Sequence, residues 1–309
     1  MRDTDELDAR VERLRQRHAA RKKNQAAPVA PVASFEASES LLERFAAAVP
    51  VTKAERAWIR EHLGPLHERQ LIGDVLQRIK AGKEATVYAC SAGAGAPAGI
   101  VAAKLYRAQS LRGERNVAQY QQGRGVLDAE GRVLGSRAWR LQKAIAQKSR
   151  VGRRAAQSSW LMHELGVLSA LSACGGDVPR PIEHNAFALL MEFIGDGAEP
   201  APTLSQVALT RNEAKALLER LIFNLELLLG LGWVHGDLSA HNLLYQPGRL
   251  VLIDFPQVVA ARDNSNARSF LERDVERIAG YFARAGVPMD AHRLSSQLWS
   301  KHVATEVAP

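Results

Sequence analysis

An α+β fold in two parts, a small antiparallel sheet followed by a mostly helical half, is predicted from three observations. Between Leu76 and Tyr106, short runs with β-branched content (LQRI, ATVYAC and GIVAAKLY) are separated by glycine-bearing turns, the mark of an antiparallel meander. Arg211 to Leu231 is strongly apolar along one side through Leu217, Leu218, Leu221, Leu225 and Leu228, which suits the central helix of a second lobe. Between them lies a Pro- and Gly-rich stretch, GDGAEPAP, at 195–202.

The elements follow in order. Residues 1–24 alternate acids and bases with few large apolar side chains and form at most an exposed helix, and NQAAPVAPVASFEASES reads as a linker. Residues 1–37 are therefore expected to be a flexible charged tail. A helical extension is expected over 38–73: Ser40 to Ala48 carries Leu41, Leu42 and Phe45 on one face, and Thr52 to Leu63 opens with T-K-A-E in capping-box spacing. The sheet lobe spans 74–194 and contains a basic insertion, 108–153, rich in Arg, Gln and Gly without a steady apolar period, which reads as mobile or partly helical. Helical spacing returns at 154–173 through Trp160, Leu161, Leu165, Leu168 and Leu171, and the strand AFALLMEFI ends at Gly195. The helical lobe takes 195–309, and no internal repeat is visible.

Composition narrows the class. At 309 residues, 46% hydrophobic and 24% charged, the chain is ordinary globular protein rather than a fibre or a disordered tail. Cys90 and Cys174 show no C-x-x-C spacing, so neither a disulfide framework nor a cysteine zinc site is expected, and a reducing cytoplasm fits best. The most apolar stretch, 221–234, falls short of the roughly 18 residues that a span needs and carries Asn224 and Glu226. The N-terminus has no apolar h-region, so neither secretion nor membrane anchoring is expected. Lys104 to Arg154 holds 13 basic and 3 acidic residues, a local surplus larger than the +8 of the whole chain. Such a patch attracts polyanions, whether ATP, RNA or an acidic protein face.

The segment WVHGDLSAHNLLY (233–245), followed by LVLIDF (250–255), carries the chemistry. An apolar strand delivers Asp254, and H-G-D-x-x-x-x-N precedes it, so that Asp237, Asn242 and Asp254 can converge. One carboxylate can orient or accept a hydroxyl proton, while an amide and a second carboxylate can hold a divalent metal through hard oxygens. Phosphoryl transfer from ATP further needs a backbone-lined turn over the phosphates, a strand lysine and an acid to position it. RIKAGKEATVYA (78–89) supplies a strand, turn and strand with Gly82 at the tight position; Lys104 ends the apolar run IVAA, and Glu164 sits on the helix after the insertion. By analogy with its place in kinase catalytic loops, His235 is expected to be a packed structural histidine rather than a proton carrier.

These residues resemble the RIO family of atypical serine/threonine protein kinases over roughly 74–285. The family's G-K-E-x-x-x-Y is matched at Gly82, Lys83, Glu84 and Tyr88; its catalytic loop at His235, Asp237, Ser239 and Asn242; and its I-D-x-x-Q at Ile253, Asp254 and Gln257. MEFIGDGAEPAP and LERDVERIAGYF are also similar. Lys80 and Ala81 stand where many members have Ser or Thr, and His241 where an acidic or aromatic residue is more usual. The resemblance implies a two-lobed protein-kinase-like fold lacking the usual activation loop and substrate-binding helices; the short stretch from Asp254 to the helical pattern near Ser269, with no A-P-E, agrees. It also implies ATP with Mg2+ or Mn2+, transfer to an unknown protein substrate, and autophosphorylation. Asp237 would be the acid/base or hydroxyl-orienting residue, Asn242 and Asp254 the metal ligands, and Lys104 the phosphate contact held by Glu164. Gly82, Lys83, Glu84 and Val87 would line the triphosphate side, Met191 the adenine gate, and the Glu192 and Ile194 backbone the adenine edge, with Ser239 near phosphate or metal.

Three alternatives stay open. A small-molecule phosphotransferase of the aminoglycoside or choline kinase type shares H-G-D-x-x-x-x-N and I-D-F, but Pro256-Gln257 and the basic surplus argue against it. An ATPase switch acting on RNA or a ribosomal particle through 104–154 would use the same site. A dead binding module is disfavoured because every catalytic part is present.

Overall fold

The computed structural model describes residues 52–82, 84–107, 119–120, 122, 124–128, 131–135, 138–147 and 149–303. The expected tail 1–37, the helix Ser40 to Ala48 and Lys83 lie outside the described residues. The first element among the described residues is helix α1, Lys53–Glu68, whose N-cap Thr52 accepts from the Glu55 N–H as the capping-box spacing predicts. The helix runs beyond the expected Leu63 and carries Pro65 inside it. Leu66, fully buried, holds that last turn against the sheet.

Strands β1 (Ile72–Ala81), β2 (Ala85–Ala92) and β3 (Ile100–Tyr106) form the expected meander, with β1 starting four residues before the predicted Leu76. After helices α2 (Trp139–Ala146) and α3 (Arg150–Ala173) come β4 (Pro181–His184), which periodicity did not reveal, and β5 (Ala188–Glu192). The sheet is antiparallel with the order β1-β2-β3-β5-β4. Pro181 is tolerated because β4 is an edge strand, where a missing N–H costs no ladder bond.

Both faces of β3 are covered, which explains its nearly unbroken apolar run. Val101, Ala103 and Leu105 join Ile59, Leu63, Leu66, Tyr88 and Cys90 in a core under α1. Ala102 and Tyr106 point the other way, into a larger cluster with Leu161, Leu168, Leu171 and Cys174 that continues through the second lobe. Strand alternation therefore puts Lys104 on the α3 side of the sheet.

The predicted linker at 195–202 is a small hairpin, β6 (Gly195–Asp196) with β7 (Glu199–Pro200). Helix α4 (Arg211–Gly230), capped by Thr210, buries Leu217, Leu221, Leu225 and Leu228 as the centre of the helical lobe. Strand β8 (Trp233–Val234) pairs with β11 (Val259–Ala260), and β9 (Leu243–Gln246) with β10 (Arg249–Leu252). Helices α5 (Ala267–Arg284) and α6 (Ala291–His302) complete the fold. Among the described residues no helix is long and apolar enough to cross a membrane.

Candidate active site

Lys104 stands at the junction of the lobes. Its Nζ lies 2.6 Å from Glu164 Oε1 on α3 and 3.0 Å from Asp254 Oδ1 beyond β10. Tyr106, two residues on and therefore on the same face of β3, donates its hydroxyl to Glu164 Oε2 at 2.6 Å. Both Glu164 oxygens are thus engaged, as burial of a carboxylate requires. Burial alone would lower the proton affinity of Lys104; Asp254 and Glu164 outweigh it, and the ammonium is held firmly charged. Asp254 is held below the usual carboxylate range chiefly by Lys104, against the opposing effect of burial. Burial, and then Glu164, push the Tyr106 phenol well up, so it stays a donor.

The loop 235–242 is fixed from below. Asp274 of α5 accepts from the Gly236 N–H at 2.8 Å and the Leu238 N–H at 3.0 Å, and burial raises its carboxyl to about 7 despite those donors and Arg273. Gly236 adopts φ +81°, and a Cβ there would lie 2.5 Å from Gln257 O, so the loops 235–242 and 253–258 meet only because this residue is glycine. His235 is buried against Phe255 with its Nε2 3.3 Å from Ile253 O, the packed role expected of it. Between these supports, Asp237 reaches the cleft, with Arg277 Nη1 2.8 Å from its Oδ1. The Asn242 side-chain amide donates to Asp237 O at 2.8 Å, which turns its oxygen end away from that carbonyl. Asp254 has φ +71°, a left-handed conformation that only Gly, Asn and Asp adopt at modest cost.

A cavity of about 700 Å³ lies between the lobes and is lined by Gly82, Glu84, Val87, Lys104, Glu164, Met191, Glu192, Ile194, Asp237 and Asp254. Ten of the sequence-derived site residues thus share one cavity. Asn242 sits beneath it, buried behind Asp237, and Ser239 caps the 3-10 turn Ala240–Asn242 through the His241 N–H. Tyr88, part of the phosphate-loop match, points away from the cavity and donates to Glu55 Oε1 on α1. The Ile194 carbonyl accepts from the Ala201 N–H at 2.9 Å, and the Glu192 N–H donates to Arg180 O at 2.8 Å.

The donor set fits a magnesium ion. Among the described residues no group of three or more His, Cys, Asp or Glu could hold a metal. One carboxylate and one amide oxygen beside a polyphosphate-sized cavity suit Mg2+, which keeps several waters and takes one or two protein oxygens.

Several supporting residues escaped the sequence reading: Tyr106, Asp274, Arg277 and Arg124. Tyr106 shares the strand parity of Lys104, and Asp274, Arg273 and Arg277 repeat at helical spacing in LERDVERIAGYF, so those signals were present. Arg124 had none, since it sits in a segment that reads as undifferentiated charge.

A family profile described as "RIO domain" matches residues 135–294, a span that contains Glu164, Asp237, Asn242, Asp254 and Asp274 but begins after Lys104. The chain is 31% identical over 216 residues to the RIO-type serine/threonine-protein kinase Rio1 of Haloferax volcanii, covering 70% of this chain and 66% of that protein. It is 31% identical over 230 residues to the serine/threonine-protein kinase RIO1 of Chaetomium thermophilum (71% and 41%) and 28% identical over 244 residues to that of Homo sapiens (76% and 39%). The chain therefore spans just under two thirds of the archaeal relative and about two fifths of the two eukaryotic ones.

Proposed function

The chain belongs to the RIO family, and on that premise we propose that it is an ATP- and Mg2+-dependent protein kinase that transfers phosphate to serine or threonine, its own included. The observation that carries this reading is Lys104 held between Glu164 and Asp254 in the cavity that Asp237 also enters. Met191 and the Ile194 N–H suit the adenine end, and Gly82 and Glu84 the phosphate end. Lys104 neutralises phosphate oxygens, and Asp237 orients the acceptor hydroxyl and takes its proton. Asn242 and Asp254 would hold Mg2+, which when bound supplies charge neutralisation to the transferring phosphoryl group. We infer a cytoplasmic site of action, supported by two buried cysteines of which neither is in a disulfide.

The test is incubation of the full chain and Asp237→Ala with γ-labelled ATP and Mg2+ or Mn2+, following label on protein and free phosphate separately. Acid-stable label on serine or threonine, absent from the variant, is expected. No label with either protein overturns the kinase reading and directs attention to small-molecule acceptors.

A second reading, an ATPase switch on RNA or a ribosomal particle, is favoured by one feature. Residues 131–159 contain no Asp or Glu, and their described part exposes Arg132, Arg140, Lys143, Arg150 and Arg154, with Arg140 beside the ring of Trp139, which is 56% exposed. Base stacking on an aromatic ring within a basic field suits single-stranded RNA. Phosphate release stimulated by RNA, with affinity falling steeply in salt and little stable protein label, is the outcome that selects it.

A further inference from the structure

The residues just before α2 play no part in the proposed reaction, yet they are built into both lobes. Tyr120 stacks on Phe270 of α5, with centroids 4.8 Å apart, and Asn264 Nδ2 donates to Gln119 O at 2.6 Å and Gln122 O at 3.2 Å. On the other side, Ser159 Oγ of α3 accepts from the Leu127 N–H at 2.9 Å, and His163 Nε2 lies 2.8 Å from Gly125 O. Between the two anchors, Arg124 turns its guanidinium inward: Nη1 donates to Pro256 O at 3.0 Å and Nη2 to Val258 O at 3.1 Å.

We infer that Arg124 is the positioning residue for Asp254, clamping the loop 253–258 to the helix that carries Glu164. Three features support this. The left-handed backbone of Asp254 carries a modest cost, and the two carbonyls that Arg124 holds, two and four residues past it, fix the chain that leaves it. The guanidinium is partly buried, and burial outweighs the field of Glu164 and pulls its proton affinity down to about 10, so it occupies this place at a cost. Its planar fork meets two carbonyls at once, which a lysine ammonium at the end of a single stem does not reproduce. The insertion expected from sequence to be mobile or partly helical thus contains a brace, and through it the acids on either side of Lys104 are mechanically linked.

The role of Arg124 rests on the reading of Asp254 as a metal ligand. The test measures, without turnover, the affinity of the full chain for a fluorescent ADP analogue with and without Mg2+. The Mg2+-dependent gain in affinity is expected to fall about tenfold in Arg124→Ala, the scale of one lost charge-assisted hydrogen bond. Arg124→Lys is expected to fall in between, with metal-free affinity near wild type in both. Leu298→Ala, which opens the core beneath α6, controls for general destabilisation and should keep the wild-type metal response. An Arg124→Ala protein with a metal response within twofold of wild type overturns the inference. Should that variant not fold, a wild-type response in Arg124→Lys overturns it equally, as does an equal loss in Leu298→Ala. Absence of any Mg2+ effect in the wild-type protein overturns the metal reading itself and takes the inference with it, a result distinct from the others.

Discussion

The two sides of the cleft solve opposite problems. On the sheet side, Lys104 and Glu164 are sealed, their side chains 9% and 2% exposed, and every polar atom meets another protein atom through Tyr106, Asp254 or each other. On the helical side, Asp237 and Asp254 are each 39% exposed and hang from loops fixed by groups beneath them: Asp274, Arg124 and Asn242. The difference teaches where stability and reactivity are separable. A sealed charge cannot be removed without leaving its partner stranded in low dielectric, whereas an exposed one can be replaced by water.

The contrast is broken most directly by Glu164→Ala. Stranding Lys104 and Tyr106 should cost about 3–5 kcal/mol of stability, the range for removing one partner of a buried pair, and thermal unfolding of the purified variant checks it. A loss no larger than that of a surface substitution would mean that the sheet side is as open as the other. Asp254→Asn should do the reverse, lowering turnover by about 10²–10³-fold while costing less stability than Glu164→Ala, because Lys104 keeps Glu164 and the exposed side of residue 254 keeps water; steady-state kinetics and unfolding on the same preparation read both.

Asp274 sharpens the comparison because it is a buried acid on the exposed side. Burial raises its carboxyl from 3.8 to about 7, so between those values the folded chain binds more proton than the unfolded chain. Its contribution is therefore fully present below about pH 4 and is lost as pH rises through 7, by on the order of 4 kcal/mol. Asp274→Asn should remove that slope, and the difference between wild-type and variant unfolding free energies from pH 4 to 7.5 isolates it from the other carboxylates. The smallest effect is expected at Thr52→Ala, far from the cleft: about 1 kcal/mol for a lost N-cap, seen as a lower urea midpoint, with turnover unchanged.

How much of this was legible in the sequence depends on how local each signal is. The β1–β3 meander, α3, α4 and the Thr52 cap announce themselves within a dozen residues, through alternation, helical period and capping chemistry. Lys104, Glu164, Asp237 and Asp254 were found because motif spacing summarises a tertiary arrangement, and they do line one cavity. β4 was missed because PIEH is short, half-buried throughout and without alternation. The end of α1 was placed too early because Gly64-Pro65 looks like a stop, while the packing of Leu66 and the sheet beyond it decide otherwise. Arg124 illustrates the limit: one arginine among many becomes special only when the carbonyls of Pro256 and Val258, more than 130 positions away, are brought to it.

The two cysteines divide between the two cores, Cys90 under α1 and Cys174 in the larger cluster shared with the second lobe. Burial pushes the Cys90 thiol far above its ordinary range, so neither its exposure nor its ionisation in the native state allows rapid reaction with a disulfide reagent. Modification then has to await transient opening, and each sulfur counts the openings of its own core. The chain accordingly carries a built-in pair of clocks: one runs with excursions of the sheet and its covering helix, the other with those of the interlobe packing. A nucleotide wedged between the lobes should slow the second more than the first.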